Sequence, residues 1–210
     1  MTRHGPDKDV AHFARRSANY GASWTKRHSG RLHRKMLRQA ARVAGQPRSV
    51  LDVGCGTGQL LRKASALWPL ARLVGVDPAE GRIEAARREL PAAVFFLAGT
   101  EVLPVPDASI DVAFSSLSVH HGRDQLMELK EIARTLRPGG CLCLAHAAPP
   151  LATAQALRIL GPLGEAIGEL LRLRFKYREP VLVLMTDAGF SVLAQETALA
   201  GSVLLTIGKR

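Results

Sequence analysis

The sequence predicts an α/β protein, a mostly parallel sheet covered by helices on both faces, and three observations carry that prediction. Short apolar runs at 48–54, 71–76, 92–97, 110–115 and 140–145 alternate with helical patterns at 58–67, 79–89 and 122–136. The first run enters a glycine-rich turn, Val50-Leu51-Asp52-Val53-Gly54-Cys55-Gly56-Thr57-Gly58-Gln59-Leu60. The second, Ala71 to Asp77, ends in an acid followed by Pro78, 23 residues after Gly54. Strands alternating with helices require crossovers on both faces of a parallel sheet, whose ligand crevice lies at the carboxyl ends of the strands. Gly54, Asp77, Gly99 and Ser115 all fall at such ends.

The chemistry of the turn narrows the ligand. Glycines 54, 56 and 58 lack the Cβ atoms that block close approach, and they permit positive φ where a strand turns into a helix. Gln59 stands where the dinucleotide fingerprint G-x-G-x-x-G requires its third glycine. Asp52 argues further against a phosphate ligand, because a carboxylate beside the turn repels pyrophosphate and welcomes a positive group. The ligand implied is adenosine-like and partly cationic, and Asp77 is placed to accept both hydroxyls of a ribose.

Downstream stand FFLAGTEVLPVPD from Phe95 to Asp107, then Ile110-Asp111-Val112-Ala113-Phe114-Ser115-Ser116, His120-His121, and Leu136-Arg137-Pro138-Gly139-Gly140. In this order, over about residues 48–146 strongly and the last third weakly, the motifs resemble class I S-adenosylmethionine-dependent methyltransferases. The pattern is most similar to the small-molecule group that includes the ubiquinone/menaquinone-biosynthesis C-methyltransferases. The resemblance implies a Rossmann-like, seven-stranded sheet with an antiparallel C-terminal hairpin, here Phe190–Thr197 and Ser202–Ile207.

It also implies roles for particular residues. The backbone of Gly54, Cys55 and Gly56 lines the methionyl and ribose portion of S-adenosylmethionine, with Asp52 near the methionyl ammonium. Asp77 holds the ribose hydroxyls and Pro78 packs on adenine. Family members usually carry an acid after the third strand to meet the adenine amine. Gly99 stands there instead, leaving Thr100 to offer backbone groups and Glu101 to act either as a replacement acceptor or as a solvated loop acid. Ser115 ends the fourth strand at the methionyl group and substrate mouth. Tyr20 and Trp24 are lid aromatics on an N-terminal cap, and Gly21 replaces an acid common in related sequences.

Composition fits one catalytic unit: 210 residues, 47% hydrophobic, no apolar run long enough to cross a bilayer and no secretory apolar core. A cytoplasmic protein is expected, and three cysteines suit a reducing compartment. Cys141 and Cys143 share one face of a predicted strand, with His146 beyond. No fourth ligand stands near them, so packed thiols rather than a metal site are expected.

Charge is uneven. Of the net +11, nearly all lies in residues 1–48, which hold twelve Lys/Arg against Asp7 and Asp9. We divide the chain into a basic helical arm, 1–47, and a catalytic domain, 48–210, with a substrate lid at 149–180. In the arm, 10–20 and 31–44 read as helices separated by Gly21 and Gly30. The second carries Leu32, Met36, Leu37, Ala40, Val43 and Ala44 on one face and Arg31, Arg34, Lys35, Arg38 and Arg42 on the other. The basic face is either ordinary solvated surface or a site for an anionic substrate, anionic lipid head groups or nucleic acid.

The expected activity is methyl transfer to oxygen or carbon of a small molecule, with no metal required. His120 or His121 could serve as base where the acceptor must lose a proton. Rival readings are a phospholipid-amine or RNA methyltransferase using the arm, and a silent partner that keeps only the fold. RNA is the weaker, because Ser115-Ser116-Leu117-Ser118 replaces the Asn/Asp-Pro-Pro-aromatic motif of amine-methylating nucleic-acid enzymes.

Overall fold

A computed structural model describes residues 24–119, 124–147, 181–199 and 203–210, with side chains from Ser29 onward except that of Ala147. In chain order the elements are α1 (Trp24–Ala44), β1 (Ser49–Val53), α2 (Gln59–Leu67), β2 (Arg72–Asp77), α3 (Glu80–Glu89), β3 (Val94–Leu97) and β4 (Ile110–Ser116). There follow α4 (Gln125–Thr135), β5 (Leu136–Ala147), α5 (Val181–Asp187), β6 (Ser191–Ala198) and β7 (Val203–Lys209). One seven-stranded sheet runs β3-β2-β1-β4-β5-β7-β6. Its first five strands are parallel, and β7 lies antiparallel between β5 and β6. The expected parallel sheet and terminal hairpin are therefore both present.

Strand alternation sends side chains to two cores. Val50, Val112, Phe114, Cys141 and Cys143 point toward α1, α2 and α3, while Leu51, Val53, Ala113, Leu142 and Leu144 point toward α4 and α5. Both β5 cysteines are buried strand thiols, and the Cys143 Sγ lies 3.7 Å from the Met36 carbonyl of α1. Burial pushes His146 down to about 4, so its ring is neutral at physiological pH. Among the described residues no group of three His, Cys, Asp or Glu is arranged to hold a metal. Nor is any helix among them long and apolar enough to cross a membrane.

Four local findings differ from the expectations. The helix expected to begin at Arg31 runs unbroken through Gly30 from Trp24. A helical glycine costs about 1 kcal/mol against alanine, whereas burying each of Leu32, Met36 and Leu37 is worth roughly 1.5–3 kcal/mol, so packing outweighs the break. Lys35 belongs less to the free basic face than expected, since it pairs with Glu196 at 3.2 Å and donates to the Thr197 carbonyl at 2.8 Å. Strand β5 starts at Leu136, because Arg137 to Gly140 form an irregularity between the Ile110–Leu136 and Val112–Cys141 pairs. A Cβ on Gly140 would stand 2.9 Å from the Arg137 carbonyl oxygen, so that crossing demands glycine.

The fourth is α5, which the sequence reading lacked. Val181-Leu182-Val183-Leu184-Met185 is a continuous apolar run, and only Val181, Leu184 and Met185 at helical spacing are buried. Residues 10–20 and the 149–180 lid lie outside the described residues.

At the opposite rim, Asp111 accepts hydrogen bonds from the Arg48 and Ser49 amides and pairs with Arg137 at 2.6 Å. Burial opposes its ionisation, but the bonds from Ser49 and Arg48 and the Arg137 charge outweigh it and hold its carboxyl below the ordinary value. Nearer the site, the Phe95 ring fills the space over Gly75: a Cβ there would meet it at 2.6 Å and the Cys55 Sγ at 2.9 Å. Gly75→Ala should therefore cost about 1–3 kcal/mol by overpacking, measured by urea denaturation, and Phe95→Leu in the same chain should recover part of that loss.

Candidate functional site

The strand order reverses at β1, which has β2 on one side and β4 on the other. Crossovers leaving in opposite directions open a crevice there, at the carboxyl ends. Three segments converge on it: the 54–58 turn, the β2 end, and the chain leaving β4.

The turn is held by its own donors. Gly54 and Cys55 amides both donate to the Val76 carbonyl, at 2.8 and 3.0 Å, and the Gly58 amide donates to the Cys55 carbonyl at 3.0 Å. The Gly56 amide donates to Asp77 Oδ2 at 2.9 Å, and the Ala79 amide to Asp77 Oδ1 at 2.9 Å. Gly54, Gly56 and Gly58 all have positive φ, between 54° and 76°. A phosphate-binding turn needs free amides aimed at the ligand; these amides are spent internally, which agrees with the argument from Asp52 against phosphate.

Two carboxylates sit side by side in this frame. Asp52 and Asp77 are each only 2% exposed. Burial, and then the neighbouring Asp77 charge, push Asp52 up to about 8, and its Oδ1 has no hydrogen-bond partner. Asp77 is satisfied by backbone amides yet keeps further lone pairs on both oxygens. Such a pair is at odds with itself until a cation or a protic donor arrives. Burial, with the Asp52 and Asp77 charges, also drives the Cys55 thiol upward, so it is no nucleophile.

The expected cofactor contacts divide. The space a Cβ would take on Gly56 is empty to 4 Å, as an approach surface requires. At Gly54 the equivalent space holds the Ser118 side chain, so the bare backbone there serves a protein contact rather than open access. Ser115 is also reassigned: it is 0% exposed, and its hydroxyl is 2.8 Å from that of Ser118, which donates to the Val53 carbonyl at 2.8 Å. These serines stitch β4 to β1 across the crevice floor. Leu117, at φ 58°, makes the left-handed step that turns Ser118 back over Gly54. Ser118 was visible in the sequence only as part of a serine run, and nothing local announced its return.

On the other flank, Pro78 is half-buried beside Asp77, Gly99 is exposed, and Thr100 and Glu101 are half-buried. Glu101 Oε2 lies 2.7 Å from where a Cβ on Gly99 would stand, so a carboxylate does occupy the neighbourhood of the missing side chain. His120, His121 and Tyr20 lie outside the described residues, and Trp24 is described only as the first residue of α1. Ser29, near that end of α1, reaches Gln59 just after the glycine turn at 3.4 Å, so the helix starts beside the crevice.

Comparison with known proteins agrees with this geometry. The family described as a methyltransferase domain matches residues 51–144. A malonyl-[acyl-carrier protein] O-methyltransferase of Hahella chejuensis is 39% identical over 100 residues, covering 47% of this chain and 36% of that protein. A ubiquinone/menaquinone biosynthesis C-methyltransferase of Campylobacter jejuni is 29% identical over 136 residues, covering 61% of this chain and 55% of the relative. The chain thus spans between about a third and a half of the length of these relatives. An S-adenosylmethionine-dependent methyltransferase structure from Mesorhizobium loti superimposes with a TM-score of 0.64 at 22% identity, covering 83% of this chain and 95% of that one, and so shares the fold.

The raised Asp52 carboxyl gives a test that needs no ligand. In the unfolded chain Asp52 ionises near its ordinary 3.8, but in the folded chain only near 8. The unfolded state gives up its proton first, so stability should fall as pH rises between those values. Asp52→Asn should exceed wild type in urea resistance at pH 8.5 by at least ~1 kcal/mol, with the difference closing toward pH 4. Parallel stability curves would show that Asp52 ionises freely.

Proposed function

We propose that the chain is a class I S-adenosylmethionine-dependent methyltransferase, as its match to the methyltransferase domain over residues 51–144 supports, and that it methylates an oxygen of a small anionic acceptor. The observation that carries the cofactor assignment is the buried Asp52 carboxyl, unpartnered at Oδ1 and set beside Asp77. Bound there, S-adenosylmethionine supplies a methyl already activated by a positive sulfur.

The residues present fit that group. Asp52 would hold the methionyl ammonium, Asp77 would accept from the ribose hydroxyls, and the open surface of Gly56 would let the nucleoside lie close. Thr100 and Glu101 would meet the adenine edge, and Pro78 its face. The protein's remaining task is to hold the acceptor in line and exclude water.

The acceptor reading rests on charge and likeness. Arg31, Arg34, Arg38 and Arg42 are exposed along α1 at spacings of three or four residues, and they make no ion pair among the described residues. They form a positive stripe that starts beside the crevice and draws anions toward it. The O-methyltransferase relative acts on a malonyl group, whose free end is a carboxylate. A carboxylate is ionised at neutral pH and needs no protein base, so this reading requires no proton transfer by His120 or His121. Quinols or carbon acids would instead require one of them as base.

An S-adenosylhomocysteine-release assay across carboxylates, malonyl thioesters, phenols, quinols, amines and lipids tests the proposal. We expect turnover confined to carboxylated acceptors. Activity only on quinols would move the assignment to carbon methylation, and cofactor binding without turnover on any acceptor would favour a silent partner.

Two measurements probe the parts. Asp77→Ala should weaken S-adenosylmethionine binding by roughly 1–3 kcal/mol in calorimetry, since a charged acceptor is lost. Wild-type affinity should climb with pH up to about 8, because binding a cation expels the Asp52 proton, and Asp52→Asn should abolish that climb. For the arm, the double variant Arg34→Glu/Arg38→Glu should lower kcat/KM for an anionic acceptor about tenfold at low salt and less at high salt, with melting temperature unchanged. A loss equal for neutral and anionic acceptors would contradict electrostatic attraction.

A further inference from the structure

Glu128 is a helix acid with no contact to water. It lies in the first turn of α4, is 0% exposed, and neither oxygen has a hydrogen-bond partner of normal geometry. Burial pushes its carboxyl up to about 8; the Thr100 hydroxyl offsets this in part, and the charges of Glu101 and Asp124 add to it. Those are the groups that face it, two on the loop after β3 and one at the N-cap of its own helix, and no basic group among the described residues does so.

The same side of α4 grips that loop further along. Glu131 Oε2 accepts from the Leu103 amide at 3.0 Å, while Arg134 donates to the Leu103 and Val105 carbonyls at 3.0 and 2.9 Å and pairs with Asp107 at 2.6 Å. Residues 128, 131 and 134 thus meet the loop at three successive levels. The two lower levels are charged and fully bonded. At the upper level, the loop segment is the one that would meet adenine, and Glu101 folds back there over Gly99.

A charged Glu128 would repel that carboxylate, whereas an uncharged one tolerates it and can bond Thr100. We propose that Glu128 is a positioning residue for the adenine end of the site, acting through Thr100 and Glu101 rather than on the ligand. The inference rests on the cofactor assignment above. Since Glu128 carries its proton below about pH 8 and loses it above, adenine-end affinity should decline on the alkaline side.

The test uses the full chain with 5′-methylthioadenosine, which has adenine and ribose but no ammonium for Asp52, in binding titrations from pH 6 to 9.5. Wild-type affinity should drop several-fold between pH 7 and 9 relative to Glu128→Gln, which keeps a neutral hydrogen-bonding group throughout. Glu128→Leu and Thr100→Val should each bind threefold to tenfold more weakly than wild type at pH 6.5. Parallel wild-type and Glu128→Gln profiles would overturn the proposal, and the glutamine variant, being isosteric, keeps the test open should the leucine variant fail to fold. Absence of wild-type binding to both this ligand and S-adenosylmethionine would instead remove the cofactor assignment, and this inference with it.

Discussion

The carboxylate of Asp77 is the point on which the site depends. One oxygen receives the Gly56 amide and the other the Ala79 amide, so a single buried side chain fixes the turn after β1 to the turn after β2. With the Gly54 and Cys55 amides bonded to the Val76 carbonyl, the glycine loop is locked from beneath and has few donors left for an anion. The shape that results can take a nucleoside, and its electrostatics favour one that carries positive charge.

Asp52 supplies the other half of that preference. It lies in the middle strand of a parallel sheet, paired on both sides, where no water can relieve it. An apolar residue there would stabilise the empty fold; an acid beside another acid costs stability that a cationic ligand gives back on binding. Strain of this kind is common at sites tuned for a ligand rather than for the unliganded chain. Leu117 is a smaller instance: its left-handed backbone places Ser118 where it seals the floor between β1 and β4.

Around this floor the chain sets two fields. On one flank, α4 holds the loop after β3 with Glu131 and Arg134 and leaves an acidic, water-free corner around Glu128. On the other, α1 packs its apolar stripe on β4, β5 and β7 and turns its arginines outward. A negative interior behind a positive approach suits a reaction between a cationic cofactor and an anionic acceptor.

Periodicity and motif order were enough to determine the α/β class, the approximate places of the strands and the glycine turn with Asp52 and Asp77, because these are local patterns of burial and turn chemistry; the antiparallel pairing of the hairpin came from the family resemblance. The apolar face of α1 was equally legible, but its passage through Gly30 was not, since burial against the sheet overrides a glycine's local preference. Helix α5 escaped because an unbroken apolar run has no period to read. Ser115 was read as part of the methionyl mouth and Ser118 was given no role, because the bond between them forms only after Leu117 reverses the chain. Glu128 shares a helical stripe with Ile132 and Thr135, a pattern that marks it as inward-facing but not as unpaired. Only tertiary structure brings Thr100 and Glu101 against it, since the energy of a buried charge depends on neighbours that are distant in sequence.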